Sequence, residues 1–154
     1  MQAIILAAGM GKRLGQLTQN NTKCMVKVNG ETLIERLLRQ LDNLQACKLN
    51  KIVIVTGYMG DKLRQYVDQL SIKTAIDYVQ NPIYDTTNNI YSLWLAKDYL
   101  MQDDTLLFES DLIFDSAIIE KLLSHPHPSL CLVAKYESWM DGTVVKLGQD
   151  GEID

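Results

Sequence analysis

The sequence predicts an α/β fold: an open, mostly parallel sheet with helices on both faces. Three observations carry this. Short apolar runs of strand length alternate with segments of helical periodicity along most of the chain. Several runs are continuously Val-, Ile- and Leu-rich, as in strands covered on both faces. The first run stops abruptly in a glycine-rich segment, as a buried strand does at its carboxyl end.

The first strand is Gln2 to Ala7. Thr32 and Glu35 have capping-box spacing, and Leu33, Ile34, Leu37, Leu38, Leu41 and Leu44 follow at helical intervals. Lys51 to Val55 is the second strand, ended by Thr56 and Gly57. Asp61 is placed to cap a helix whose inner face is Leu63, Tyr66, Val67 and Leu70. Lys73 to Val79 is a half-polar third strand. Asn81-Pro82 and the polar stretch Asp85 to Asn89 form a loop, and Ile90 to Leu100 has helical spacing. Thr105 to Phe108 is the fourth strand. Asp115 or Ser116 caps a helix carrying Ile118, Ile119, Leu122 and Leu123, which Pro126 and Pro128 end. Leu130 to Ala134 and Thr143 to Leu147 complete the strands, with a hairpin turn over Gln149 to Glu152.

At 154 residues the chain has the length of one domain, 1–154, large enough to bury roughly 70% of its unfolded surface. With 47% hydrophobic and 22% charged residues the composition is that of a globular protein, not a disordered one. A net charge of −4 argues against a nucleic-acid binder. No apolar run approaches the ~20 residues that span a bilayer, so no membrane insertion is expected. In MQAIILAAGMGKRL the positive charge follows the apolar stretch, the reverse of a signal peptide. Cys24, Cys47 and Cys131 form neither a disulfide framework nor a zinc pattern, and free thiols fit the cytoplasm.

Ligands of such sheets bind outside the carboxyl ends of the strands. The loop after the first strand, Leu6 to Leu14, combines small residues, Gly9 and Gly11 with the charges of Lys12 and Arg13, and Lys23 follows. Backbone amides that can approach closely and fixed cations suit a polyphosphate. The spacing matches neither a Walker A loop nor a dinucleotide fingerprint. It is equally that of a plain strand-to-helix turn with a solvated basic tail. Glu109-Ser110-Asp111, after the fourth strand, offers two hard oxygen ligands of the kind Mg²⁺ takes together with substrate phosphates. Read alone, the pair is more simply two solvated loop acids. Gln80, Asn81, Asn88, Asn89 and Ser92 can read a base edge or serve as ordinary turn and cap residues. Tyr58 suits a stacked base or a rim aromatic. His125 and His127 are expected on the surface, away from this end of the sheet, and Trp94 and Trp139 as packing residues.

The segment Leu6 to Leu14, then Leu17-Thr18, Lys23, Val26, Val28 and Thr32 to Glu35, resembles the opening signature of the nucleoside-triphosphate transferases. Val55 to Tyr58 resembles the family's second-strand loop, and Asn88-Asn89-Ile90-Tyr91-Ser92-Leu93 with Glu109-Ser110-Asp111 brings it closest to the CTP:phosphocholine cytidylyltransferase branch. Asp141 to Val145 stands where that family has a G-V-V strand. The resemblance implies a Rossmann-like sheet of the nucleotide-diphospho-sugar transferase type. It also implies transfer of CMP from CTP to phosphocholine or a similar phosphorylated or phosphonate amine, with Mg²⁺ as cofactor and pyrophosphate leaving. Arg13 and Lys23 would be catalytic. Leu6, Ala7, Ala8, Gly9, Gly11, Lys12, Gly57, Gln80, Asn81, Asn89 and Ser92 would bind the nucleotide. Asp111 and Glu109 would hold the metal.

The sequence departs from the pattern in three places. Thr22 stands where the family has Pro, Leu112 where it often has Asn, and the chain ends at Asp154, before the second metal ligand; Asp150 and Asp154 come too early. The chain is therefore expected to be the N-terminal part of a longer enzyme, incomplete at its C-terminus. An open sheet edge would then favour self-association into a homo-oligomer. The alternatives are a sugar-1-phosphate nucleotidyltransferase using dTTP or UTP, a nucleotide-binding module without catalysis, and a structural domain that binds no nucleotide.

Overall fold

The computed structural model describes residues 1–140 and 142–153. They form two compact units, residues 1–124 and residues 125–154. Every fully buried apolar side chain among the described residues lies in the first unit.

That unit is built on four parallel strands in the order β5-β4-β1-β6. These are β1 (Gln2–Ala7), β4 (Lys51–Thr56), β5 (Ile76–Gln80) and β6 (Thr105–Glu109). The strands start flush, with Gln2 opposite both Lys51 and Thr105. Parallel neighbours require crossovers, which are α1 (Leu33–Asp42), α2 (Gly60–Val67), and α3 (Asn89–Leu95) with α4 (Lys97–Leu100). The chain steps outward in one direction from β1 through β4 to β5, then jumps back past β1 to β6. With a constant crossover hand, this reversal puts the later helices on the other face.

The two cores bear this out. Ala3, Ile5, Ala7, Ile52 and Ile54 meet α1, α2 and α5 (Ala117–Leu123), whereas Ile4, Leu6, Val53 and Val55 meet Leu93, Ala96, Tyr99 and Leu100. Six residues of β1 are buried throughout because both faces are covered.

Thr32 caps α1 as its spacing predicts, its side chain accepting from Glu35 N at 3.1 Å. Elsewhere local chemistry moves the predicted boundaries. Asp61 is not the cap of α2; it lies in the first turn, and Met59, at φ 50°, precedes the helix without a side-chain cap. The predicted third strand starts three residues late, because the Asp42 carboxylate accepts from the Lys73 and Thr74 amides and the Thr74 hydroxyl. The predicted helix Ile90 to Leu100 breaks at fully buried Ala96 into α3 and α4. Ser116 precedes α5 without a side-chain cap, and Asp115 Oδ1 accepts from Ala117 N instead.

A small antiparallel hairpin, β2 (Lys27–Val28) with β3 (Glu31–Thr32), stands apart from the main sheet. Its turn residues Asn29 and Gly30 both have positive φ, 53° and 87°, as a two-residue hairpin turn requires.

Residues 125–154 do not form the predicted strands Leu130 to Ala134 and Thr143 to Leu147. The described residues there have only one bridge, Leu147 with Ile153, and Leu132 and Val144 are exposed. A strand without a paired neighbour has nothing to satisfy its backbone groups, so the apolar runs stay irregular. The bridge closes the expected turn, with Gly148 N bonded to Glu152 O at 2.9 Å. Of the family strand segment Asp141 to Val145, Asp141 lies outside the described residues, as does Asp154. His125 and His127 are exposed and their rings lie 5.1 Å apart. The tryptophans are not core residues: Trp139 is 75% exposed, and Trp94, 52% exposed, packs at the surface, stacked on Tyr91 at 5.5 Å. No helix among the described residues is long and apolar enough to cross a membrane.

Asp42 supports one test. Burial at the helix end pushes its carboxyl up, but the amides and hydroxyl of Lys73 and Thr74 outweigh this and hold it below the ordinary aspartate range. A depressed carboxyl stabilises the fold above the unfolded-state pKa and loses that contribution as pH falls through the folded-state value. Asp42→Ala is expected to cost about 1–2 kcal/mol at neutral pH. In thermal denaturation the gap from the parent should shrink below about pH 4. An equal gap at pH 7 and pH 3 would rule this role out.

Candidate active site

The chain reverses its stepping direction between β1 and β6, so their carboxyl ends diverge into separate loops and leave a crevice. An open cleft of about 620 Å³ lies there, lined by Leu6, Gly9, Gly11, Lys12, Arg13, Leu14, Lys23, Asn89, Glu109, Ser110 and Asp111. A larger depression, about 900 Å³, opens at the opposite end, beside Asn50 and Lys73, which precede β4 and β5. The residues predicted for phosphate and metal chemistry line the first cleft.

After β1 the chain turns at Gly11, φ 65°, into a 3₁₀ segment, Lys12–Thr18, broken by a kink at Gly15, which puts Lys12 and Arg13 on the cleft wall. Thr18 closes this segment, its hydroxyl donating to Gly11 O at 3.0 Å. A Cβ at Gly11 would sit 3.0 Å from Lys23 Cβ, so the glycine lets the Lys23 segment pack against the loop. At Gly9 a Cβ would meet nothing within 4 Å; its bareness leaves room in the cleft and serves no packing. Lys23 opens a second 3₁₀ turn, Lys23–Met25, behind buried Thr22. Thr22 has φ −74°, inside the range a proline would fix, so the backbone here is one that the expected Pro would also adopt.

Across the cleft, β6 delivers Glu109, Ser110 and Asp111. Lys23 Nζ forms an ion pair with Asp111 Oδ2. Asn89 Nδ2 donates to Glu109 Oε1 at 2.7 Å. Partial loss of hydration in the cleft, and then the neighbouring Asp111 carboxylate, raise the Glu109 carboxyl above the ordinary glutamate range. Asn88 Oδ1 accepts from Ile90 N and caps α3, which leaves Asn89 for the acid.

Several predicted nucleotide contacts have other engagements. Asn81 is 1% exposed; its amide donates to Thr87 and Ser92, and its oxygen accepts from Ile83 N. With Ser92 at 3% exposure, the two form an internal brace of the loop after β5 and do not line the cleft. Gln80 is exposed at the end of β5, also away from the cleft lining. Ala7 and Ala8 are buried behind it. Gly57 is a packing glycine, since a Cβ there would lie 2.7 Å from both Ala8 O and Tyr84 Cβ. Tyr58 is half-buried, its amide on Ala8 O at 3.1 Å, its hydroxyl on Gln19 O at 3.2 Å and its ring edge-on to Tyr84.

One pair escaped the sequence reading. Next to the ion-paired residues in the chain, Cys24 and Ser110 are 1% and 7% exposed. Thr22 Oγ1 lies 3.2 Å from the Cys24 sulfur, and burial pushes the Cys24 pKa up to about 11. The signal was available: each partner is the chain neighbour of a charged cleft residue, Lys23-Cys24 and Ser110-Asp111. Among the described residues no group of three or more His, Cys, Asp or Glu could hold a metal ion.

The model of the MobA-like NTP transferase domain family matches residues 3–144. The CMP-5'-(3-aminopropyl)phosphonate synthase of Streptomyces rubellomurinus is 32% identical over 99% of this chain and 24% of its own length. The CTP:phosphoglutamine cytidylyltransferase of Campylobacter jejuni is 31% identical over 90% of this chain and 54% of its own. The solved CTP:phosphocholine cytidylyltransferase of Streptococcus pneumoniae is 34% identical, with a TM-score of 0.59 over 71% of this chain and 44% of that one. The chain thus spans about half, or less, of the relatives it matches. Its fold is the Rossmann-like nucleotidyltransferase sheet of these relatives.

The two glycines separate packing from access. Gly57→Ala is expected to destabilise the fold by about 1–3 kcal/mol in chemical denaturation. Gly9→Ala should stay within about 0.5 kcal/mol of the parent. Equal stability of the two variants would contradict the packing assigned to Gly57.

Proposed function

We propose that this chain, which belongs to the MobA-like NTP transferase domain family, is the nucleotide-binding part of a Mg²⁺-dependent cytidylyltransferase. CMP passes from CTP to phosphocholine or a similar small phosphorylated or phosphonate amine. An acceptor oxygen forms the new bond to the α-phosphorus. The bond from that phosphorus to the bridging oxygen breaks, and its electrons leave with pyrophosphate.

One observation carries the proposal: Lys12, Arg13 and Lys23 line the same cleft as Glu109 and Asp111. A triphosphate and a hard cation need such an arrangement, and neither charge set alone would serve. The cytidine preference rests on relatives, each described by CTP or CMP chemistry on a different phosphorylated or phosphonate amine.

The attacking oxygen is already anionic, so charge neutralisation and alignment do most of the work. The bare backbone at Gly9 and Gly11 admits the phosphates, and Lys12 and Arg13 hold the departing pyrophosphate. Lys23 neutralises charge gathering at the α-phosphate. Leu6 borders the cleft toward the base, with Ala7 and Ala8 buried behind it, and Asn89 fixes the orientation of Glu109. The two carboxylates fit Mg²⁺, which takes one or two together with substrate phosphates; bound there by Glu109 and Asp111, it would screen the triphosphate. Asn81, Ser92 and Gly57 act from behind, by shaping the loops. The full domain is proposed to extend beyond residues 1–154, with a second metal ligand among the further residues. A cytoplasmic location follows from the soluble substrates in this reading, and a homo-oligomer is compatible with it.

Pyrophosphate release by the full natural polypeptide tests the reading. CTP with phosphocholine or an aminoalkyl phosphonate is expected to turn over, and UTP or dTTP with glucose 1-phosphate is not. Arg13→Ala should lower kcat/KM about 10²–10³-fold. Turnover only with the sugar phosphate would favour the sugar-nucleotide alternative. Tight CTP binding without turnover would indicate a binding module.

A further inference from the structure

Lys23 and Asp111 occupy each other's binding positions. Nζ of Lys23 contacts Oδ2 of Asp111, with the side chains 34% and 27% exposed. Each partner has a buried chain neighbour, Cys24 after Lys23 and Ser110 before Asp111, at 1% and 7% exposure. Gly11 packs close to Lys23, where an added Cβ would sit 3.0 Å from Lys23 Cβ. Glu109, the other acid of the cleft, is bonded to the neutral amide of Asn89.

Resting on the reading of this cleft as a triphosphate site, we infer that the Lys23–Asp111 ion pair makes cation binding and polyphosphate binding mutually dependent. The ammonium stands where a cation would meet Asp111, and the carboxylate stands where a phosphate oxygen would meet Lys23. A cation arriving alone must break the pair and leaves Lys23 uncompensated. A polyphosphate arriving alone must also break it and faces the released carboxylate. When both arrive, a single opening of the pair serves both. The coupling is reciprocal, as linkage requires. For a pair this exposed its size is about two- to fivefold in affinity.

Calorimetry on the full natural polypeptide tests this with inorganic pyrophosphate in EDTA, with Mn²⁺ alone, and with both together. Asp111→Asn is expected to bind metal-free pyrophosphate about two- to fivefold tighter than the parent. That gain should vanish in a Lys23→Met background, as a double-mutant cycle of a true pair demands. Glu109→Gln removes an equal charge without freeing Lys23 and should give a smaller gain. Lys23→Met should bind Mn²⁺ alone more tightly than the parent, read independently by electron paramagnetic resonance. This last arm needs neither nucleotide nor Asp111→Asn, so it decides the matter even if that variant does not fold. Unchanged or weaker metal-free binding by Asp111→Asn, a gain that survives loss of Lys23, or unchanged Mn²⁺ affinity in Lys23→Met would each overturn the inference. Loss of CTP turnover while these couplings hold would instead overturn only the cytidylyltransferase reading.

Discussion

The position of β1 governs this molecule. It is paired on both sides in parallel, to β4 and to β6, and covered on both faces. A parallel strand cannot be reached by a tight turn, so each neighbour requires a crossover over one face of the sheet. Starting from a central strand, the chain must at some point return across it. That return splits the loops beside β1 and opens the crevice, so the site is a product of topology before any functional residue is considered. It also explains why Gln2, a polar residue 3% exposed, begins the strand. Its side-chain amide donates to Tyr99 O at 2.5 Å and to Thr105 Oγ1 at 2.9 Å, tying β1 to α4 and β6 at the end away from the cleft.

Around the crevice the loops divide the work. Those after β1 and β6 carry the charge. Those after β4 and β5 carry packing and little charge. Gly57 and Tyr58 press against Ala8, while Asn81 and Ser92 brace the run toward α3. The first two loops are thereby held from behind by groups that never enter the cleft. The α3 cap shows the same economy: adjacent asparagines differ in duty because one turns back to its own helix and the other reaches across to an acid.

Much of this was legible in the sequence, for identifiable reasons. β1, β4 and α1 announce themselves because continuous apolar runs and a capping box leave few alternatives. The cleft was legible because Gly9, Gly11, Lys12 and Arg13 fall within one short stretch and the acids follow a buried strand. What was missed depends on contacts distant in sequence. Nothing near Lys73 signals that Asp42 will take its amide, and nothing near Ala96 signals that the sheet will press against it. Asn81 reads as a ligand amide until its partners are known. The strands expected at Leu130 and Val144 failed for a different reason: an apolar run becomes a strand only when another strand pairs with it. The β2–β3 hairpin, by contrast, has a local signal, since Asn29-Gly30 is a strong short-range mark of a hairpin turn.

That hairpin has a practical bearing. Val28, Asn29 and Gly30 are exposed, and the turn is closed by backbone geometry alone. The strand before it follows the Lys23 segment, and Val26 O accepts from Leu33 N, linking the segment to the start of α1. The tip is therefore an address for a grafted fluorophore or epitope that leaves the interior untouched. A tag there would ride on the same short stretch of chain as the cleft lysine and report its movements from outside.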